Sequence, residues 1–209
     1  FPSPTGLSCR GRERPMLTPF QTRARRALEA SPIFRELADA SMRWVHRASL
    51  RKGDVLFEKG DSSDALYGVV SGQAKLYASS ENGRQISFGL VGPGELVGEI
   101  GVSGDAPRHA SVVALAHCEL ARIRRRDFEA IVARHPAILE QLNQAALESA
   151  LRVSQRLEDA AFLTIEDRVE KALIDFAQRF GERVEGGICV ALRQQDLADV
   201  LGLSRESVN

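Results

Sequence analysis

The clearest potential for ligand chemistry lies in a glycine, a carboxylate and an arginine between positions 98 and 108. Gly98 has no Cβ, so the backbone can approach a bound molecule closely. Glu99 can accept a hydrogen bond from a ribose hydroxyl. Arg108, nine residues later, can pair with a phosphate. The pattern predicts a site for a cyclic phosphodiester. The alternative is a structural ion pair between Glu99 and Arg108 in a barrel that binds no nucleotide.

A second group of residues, close to the C-terminus, has the spacing of a helix-turn-helix. Gly202 supplies the sharp turn, and Ser204 is a residue type that caps the start of a helix. Arg205 and Glu206 then fall in the first helical turn, where such motifs meet base edges. Arginine can pair with guanine and glutamate with cytosine. The alternative is an ordinary helix pair in a helical domain.

The segment that must position the first group is rich in glycine and in short β-forming runs. Between residues 51 and 122, turn signals recur at regular spacing, which is typical of an antiparallel sandwich or barrel. Asn82-Gly83 predicts a hairpin turn. Before this segment, residues 18–50 have a helical pattern, with a second helix predicted around Ala38 to His46.

Helical patterns return after Arg126, and the longest predicted helix runs from Pro136 to about Phe162. One apolar stripe follows it, made of Leu139, Leu142, Ala146, Ala150, Val153, Leu157 and Ala160. We expect this stripe to pair with a second copy of the chain as a parallel coil. The alternative is a helix that lies on its own barrel. A further helix over Thr164 to Phe180 is predicted to be capped by Gly181.

The composition of the chain argues against several classes of function. The 209 residues carry 28 basic and 28 acidic side chains, so a basic patch for DNA would have to be local. The three cysteines are widely spaced, which argues against a metal or iron–sulfur site. There is no apolar run of bilayer length and no signal peptide. We therefore predict a cytoplasmic protein with no metal, no catalytic residues and no membrane partner.

Both groups resemble motifs of the cyclic-AMP receptor protein / fumarate-nitrate regulator superfamily of bacterial transcription regulators. Ser204-Arg205-Glu206-Ser207 is similar to the family's recognition helix, and the segment 193–198 is similar to the helix before it. Gly98-Glu99, Pro107-Arg108 and the following Ala-x-Val resemble the phosphate-binding cassette of cyclic-nucleotide-binding domains. The resemblance covers about residues 30–209.

The resemblance implies an α+β fold. Its parts would be an antiparallel, jelly-roll-like β-barrel that binds a cyclic nucleotide, a long dimerisation helix and a winged helix-turn-helix domain. We expect a disordered tail at 1–15, the barrel with flanking helices at 16–135, the long helix at 136–163 and the DNA-binding domain at 164–209. The family continues with a longer recognition helix and a wing, so we expect the last domain to be incomplete at its C-terminus.

The resemblance also implies the site residues. The nucleotide would contact Gly98, Glu99, Ile100, Arg108, His109, Val153 and Ser154. DNA would contact Arg193, Ser204, Arg205, Glu206 and Ser207. His109 stands where bacterial members often carry serine or threonine, and Val153 replaces the threonine of a pair that reads adenine. The resemblance implies cyclic AMP as the ligand, with cyclic GMP as the alternative, because Val153 leaves the base preference open.

These points predict a cyclic-nucleotide-responsive transcription activator that is not an enzyme. It would act as a homodimer on a double-stranded DNA operator, with RNA polymerase as a further candidate partner. Two alternatives keep the fold: a regulator that senses a gas, redox or metabolite signal, and a nucleotide-binding module that acts through protein contacts.

Overall fold

The computed structural model describes residues 17–29, 42–82, 85–102, 106–190 and 192–208. The predicted tail at 1–15 and Gly83 of the predicted hairpin lie outside the described residues. Residues 38–41 of the helix predicted around Ala38 to His46 also lie outside them, Met42–Trp44 form a 3-10 turn, and His46 itself begins a strand. That prediction is wrong at His46, because residues 46–50 pair antiparallel with a later strand and so adopt an extended backbone.

The described residues contain ten strands, of which eight build the predicted barrel. In chain order they are β1 His46–Leu50, β2 Val55–Phe57, β3 Ala65–Ser71, β4 Ala74–Ser79, β5 Gln85–Val91, β6 Leu96–Val97, β7 Ser111–Ala114, β8 Cys118–Arg124, β9 Glu182–Val184 and β10 Gly187–Cys189.

The barrel consists of two four-stranded antiparallel sheets. One sheet has the order β1-β8-β3-β6 and the other the order β2-β7-β4-β5. Apolar side chains that alternate along the strands fill a core formed by both sheets, with Val69, Val97, Val112 and Leu120 almost fully buried. β4 and β5 pair antiparallel, as predicted for a hairpin. The α+β fold class predicted from the sequence is confirmed.

The described helices flank the barrel and continue towards the C-terminus. They are α1 Pro19–Leu28, α2 Glu99–Val102, α3 Arg125–Val132, α4 Ala137–Phe162, α5 Ile165–Phe180 and α6 Gln194–Leu201, with short 3-10 turns at Met42–Trp44 and Glu206–Val208. Thr18 caps α1 and Thr164 caps α5 through side-chain oxygens that accept backbone N–H groups. No described helix is both long enough and apolar enough to cross a membrane.

Gly181 is the C-cap of α5, as predicted, and its N–H donates to the Ala177 carbonyl oxygen. Its φ is −76°, so the cap is extended and not left-handed. A Cβ at this position would lie 2.2 Å from Ile188 Cγ2 and 2.3 Å from the Ala177 carbonyl oxygen. Glycine is required because the small hairpin of β9 and β10 returns very close to the helix, and strand β9 was not predicted.

The apolar residues of α4 are buried only near the start of the helix. Ile138 and Leu142 are buried in the core that α1, α3 and the β1-containing sheet share. Leu147 and Leu151 are 66% and 65% exposed, although neither was placed in the predicted stripe. The start of the helix therefore lies on its own barrel, and Leu142 was assigned to the wrong contact. The exposed face begins further along α4.

Candidate nucleotide site and DNA-reading helices

Arg108 lies at the centre of the candidate site, just before β7, and only 3% of it is exposed. Its backbone is fixed by two hydrogen bonds, since Arg108 N donates to Asp61 O and Gly60 N donates to Arg108 O. Its guanidinium donates from Nη2 to Ala65 O at 2.7 Å and from Nη1 to Gly98 O at 3.2 Å. The arginine is therefore held inside the barrel rather than at its surface.

Two aromatic rings cover the guanidinium. The centroid of the Phe57 ring lies 4.1 Å from Arg108 Cζ and that of Tyr67 lies 5.9 Å away. Arg108 Nη2 also lies 3.5 Å from Asp64, whose carboxylate receives a hydrogen bond from Arg122. The sequence motif did not identify these three partners. Phe57 and Tyr67 could have been suggested only by their places in predicted strands.

The polar atoms of Arg108 fit an anionic ligand. Its Nε is buried and has no hydrogen-bond partner among the described residues. Burial lowers the pKa of Arg108, while Tyr67, Asp64, Glu99 and Asp61 act to raise it. An arginine keeps its charge in proteins, so Arg108 is a buried cation whose Nε–H donor is unused. Such a group is suited to the phosphate of a cyclic nucleotide.

Gly98 is required for this arrangement. Its φ is +86°, a conformation that favours glycine, and a Cβ there would lie 2.2 Å from Arg108 Nη1. The same Cβ would lie 3.2 Å from Ala65 O. Any side chain at position 98 would therefore push the guanidinium out of its present contacts.

Glu99 begins α2, directly after Gly98. Burial raises the pKa of Glu99, and the charges of His109 and Arg108 partly oppose this effect. The carboxylate therefore lies within the electrostatic range of both groups. Glu99 and Arg108 thus interact electrostatically, and their joint contact with a nucleotide stays a prediction.

The other predicted ligand contacts are more exposed. The imidazole of His109 lies 6.4 Å from the Phe88 ring, centroid to centroid. Ile100 is 47% exposed on α2, and Val153 is 46% exposed on α4. Ser154 is exposed beside Val153. The structure thus brings Gly98, Glu99, Arg108 and His109 together, and it places Val153 and Ser154 on a separate element.

The segment near the C-terminus has the predicted turn and cap, but the described residues after Gly202 form a 3-10 turn at Glu206–Val208 where a recognition helix was predicted. Ala198 is fully buried in α6, and Gly202 ends that helix with φ +64°, the left-handed conformation of a helix cap. Ser204 Oγ accepts from Ser207 N at 3.2 Å and so caps the turn that follows. Arg205 is exposed, as are its neighbours Glu206 and Ser207.

Arg193 precedes α6 and is already paired. Its Nε and Nη2 donate to the two carboxylate oxygens of Asp196 at 2.7 and 2.8 Å, and this contact raises the pKa of Arg193. The side chain of Arg193 is nevertheless 62% exposed, while that of Asp196 is 3% exposed. A phosphate of DNA could therefore reach the outer side of the guanidinium without displacing Asp196.

Comparisons with known proteins identify a matching family model and relatives of this chain. The family model for the cyclic nucleotide-binding domain matches residues 47–135. A CRP-like cAMP-activated global transcriptional regulator of Mycobacterium tuberculosis is 31% identical over 160 residues, covering 76% of this chain and 71% of the relative. The cyclic AMP receptor protein of Thermus thermophilus is 30% identical over 186 residues, covering 87% and 84%.

A solved structure shares the fold. The c-di-GMP responsive global regulator CLP of Xanthomonas campestris superposes with a TM-score of 0.69 at 24% identity, covering 84% of this chain and 86% of that one. The chain belongs to the cyclic-AMP receptor protein / fumarate-nitrate regulator family of transcription regulators. These relatives are regulators and not enzymes. Their effectors differ, since two are described with cyclic AMP and one with cyclic di-GMP.

Proposed function

We propose that this protein is a transcription regulator whose barrel binds a cyclic nucleotide, with cyclic AMP as the preferred ligand. The observation that carries the proposal is the buried Arg108, which has an unpartnered Nε and a carboxylate, Glu99, close by. Asp64 lies 3.5 Å from Arg108 Nη2 but its side chain is 57% exposed, so it compensates the buried cation only in part, and the cyclic phosphate would supply a second anion. The choice of cyclic AMP rests on the two relatives at 30% identity or more.

Each residue of the cassette has one task in this proposal. Arg108 pairs with the phosphate, and the backbone around Gly98 approaches it without steric hindrance. Glu99 accepts a hydrogen bond from the ribose hydroxyl. This bond offsets part of the free-energy cost of burying the Glu99 carboxylate. His109, Ile100, Val153 and Ser154 are the remaining proposed contacts. Of the two residues on α4, only Ser154 has a hydroxyl that can bond a base.

Isothermal titration calorimetry tests the ligand. We expect cyclic AMP to bind the native chain, and Arg108→Lys to weaken binding about 10- to 100-fold because lysine lacks the planar fork. Arg126→Lys is the matched control, since this arginine is 75% exposed on α3. Cyclic GMP and cyclic di-GMP form the parallel titrations. Heat with none of the three nucleotides would contradict the proposed ligand class.

The homodimer is proposed from the exposed face of α4. Leu147, Leu151 and Leu157 are 66%, 65% and 69% exposed, and Ser154 lies between them at helical spacing. Large apolar side chains concentrated on one helix face are typical of an interface with a second protein surface. A parallel pair of α4 helices would cover this face and would bring Ser154 to the dimer axis.

Sedimentation velocity tests the dimer. We expect Leu147→Glu with Leu151→Glu to give a monomer, because two carboxylates in each helix would be buried without partners. Ile86→Glu is the control, because Ile86 is 56% exposed on β5 and lies outside α4. A double variant that sediments as the native protein does would contradict the role of this face.

DNA binding is proposed for Arg193, Ser204, Arg205, Glu206 and Ser207. Arg205 and Glu206 are exposed after the capped turn, and base recognition by the first turn of a second helix is the geometry of helix-turn-helix proteins. The proposed partner is a double-stranded operator. Selection of bound sequences from a random duplex pool, followed by titration at several salt concentrations, tests this step.

In that titration, Arg205→Ala is expected to relax the sequence preference at one base pair and to cost about 1–3 kcal/mol there. Arg193→Ala is expected to weaken binding to all sequences equally, as loss of a phosphate contact does. Equal loss of sequence preference in the two variants would contradict the assignment.

A further inference from the structure

A buried lysine joins the barrel to the first DNA-reading helix. Lys75 lies on β4, is only 6% exposed, and donates from Nζ to Asp199 Oδ2 of α6 at 2.7 Å. The same Nζ lies 4.0 Å from Asp196 Oδ1, and Asp196 is 2% exposed. One cation from the barrel thus faces two carboxylates of the helix pair inside a largely water-excluded contact.

An apolar contact surrounds this ion pair. Leu90 of β5 is 2% exposed and packs with Phe176 of α5 and with Leu197 and Val200 of α6. Burial of these side chains accounts for the closeness of α6 to the outer face of β5. The charged and apolar contacts together dock the helix pair on the barrel in one orientation.

An arginine of α5 contacts the turn at Gly92–Glu95, which lies just before Gly98 in the chain. Arg179 of α5 donates from Nη2 to Glu95 Oε1 at 2.8 Å and to Leu90 O at 3.0 Å. The other oxygen of Glu95 accepts from Gly92 N at 2.8 Å. A Cβ at Gly92 would lie 2.7 Å from the Phe180 ring, so α5 lies directly against this turn. Glu95 is three residues before Gly98.

We propose that Lys75 and Arg179 form an interdomain clasp that couples the ligand cassette to the DNA-reading helices. Arg179 bonds Glu95, which lies three residues before Gly98, so a movement of Gly98 would reach α5 along this short segment. Lys75 holds α6 to β4 through Asp199. Signal transfer of this kind requires an element with two arrangements that the ligand stabilises unequally. The coupling half of this proposal rests on the proposed nucleotide binding, whereas the docking half does not.

Charge reversal with hydrogen exchange tests the docking half in the full chain. Lys75→Asp is expected to reduce the protection of amides in α6 about a hundredfold or more, because it places a new carboxylate against Asp199 and removes the cation that pairs with it, while Asp196 keeps Arg193. Lys75→Asp combined with Asp199→Lys is expected to restore protection to within about tenfold of the native chain. Lys52→Asp, at an exposed lysine of the turn before β2, is the control.

Two outcomes would overturn the docking half: protection in α6 equal to that of the Lys52→Asp control, or no recovery in the double reversal while β8 stays protected. If Lys75→Asp also exposes the amides of β8, the barrel itself has unfolded. The Arg179→Met variant then tests the docking half, because the Arg179 side chain is 27% exposed and contributes less to the barrel core than Lys75 does. Loss of α6 protection of at least about tenfold is expected from it, and native protection would refute the clasp.

Addition of cyclic AMP tests the coupling half. Saturating cyclic AMP is expected to change the exchange rates of α6 at least about threefold in the native chain and less than twofold in Arg179→Met. An equal response in both chains would refute the coupling, although the ligand binds. Absence of calorimetric heat with cyclic AMP would instead refute the proposed ligand and the coupling together, and the charge-reversal result would still decide the docking half.

Discussion

Substitution of Gly98 by alanine isolates the steric requirement of the Arg108 site. Alanine at a positive φ costs about 1–2 kcal/mol wherever it occurs. At Gly98 the new Cβ would in addition lie 2.2 Å from Arg108 Nη1, so the guanidinium must move. Gly53 provides a matched control, because its φ is +91° and a Cβ there meets nothing within 4 Å.

The difference between the two variants follows from the contacts of Arg108. Displacement of its guanidinium breaks the hydrogen bond to Gly98 O, and a hydrogen bond from a charged donor contributes about 1.5–3 kcal/mol. Arg108 is 3% exposed, so water cannot replace this acceptor easily. We expect Gly98→Ala to be less stable than Gly53→Ala by about that amount. If the displaced arginine also loses the phosphate, cyclic AMP affinity falls about 10- to 150-fold.

Urea unfolding followed by circular dichroism measures the first difference, and calorimetry with cyclic AMP measures the second. Equal unfolding midpoints for the two variants would show that the guanidinium adjusts without loss. Equal nucleotide affinities would show that the position of Arg108 does not determine binding. Either result would refute the reasoning that links Gly98 to the phosphate contact.

Three further predictions follow from burial and charge. Burial raises the pKa of Glu99, so the folded chain favours the protonated carboxyl group. The stability that this proton contributes is complete below about pH 4.3 and is lost as the pH rises through the raised pKa. Glu99→Gln should therefore increase the urea midpoint at pH 7 but not at pH 4, while it weakens cyclic AMP binding. Burial acts to raise the pKa of Asp199, but the hydrogen bonds from Lys75 and Gln195 and the charges of Lys75 and Arg193 together outweigh it and lower that pKa. Stability should therefore fall as pH drops below about 4, and urea midpoints of Asp199→Asn should lack this dependence. Gly181→Ala should destabilise the chain by more than 1 kcal/mol in the same assay, roughly the cost of an overpacked contact, because its Cβ would overlap Ile188.

The sequence by itself determined the elements and the local part of the site. Strand runs with glycine turns predicted the barrel, and the spacing of Gly98, Glu99 and Arg108 predicted that they converge. The turn at Gly202 and the cap at Ser204 were also predicted, and both have the expected geometry. The site spacing, the turn and the cap depend on residues within about ten positions of one another, so local backbone geometry constrains them. The barrel was predicted only as a set of strands, because its pairing, such as His46 with Arg122, joins distant positions.

The tertiary structure decided which surfaces meet. A helical period identifies an apolar stripe but not its neighbour, so only the folded chain shows that Leu142 packs on its own barrel and that Leu147 stays exposed. Phe57 reaches the guanidinium from a distant strand, and Lys75 bonds Asp199 from 124 positions away. Contacts at such separations depend on how sheets and helices pack, and no local spacing in the sequence encodes them.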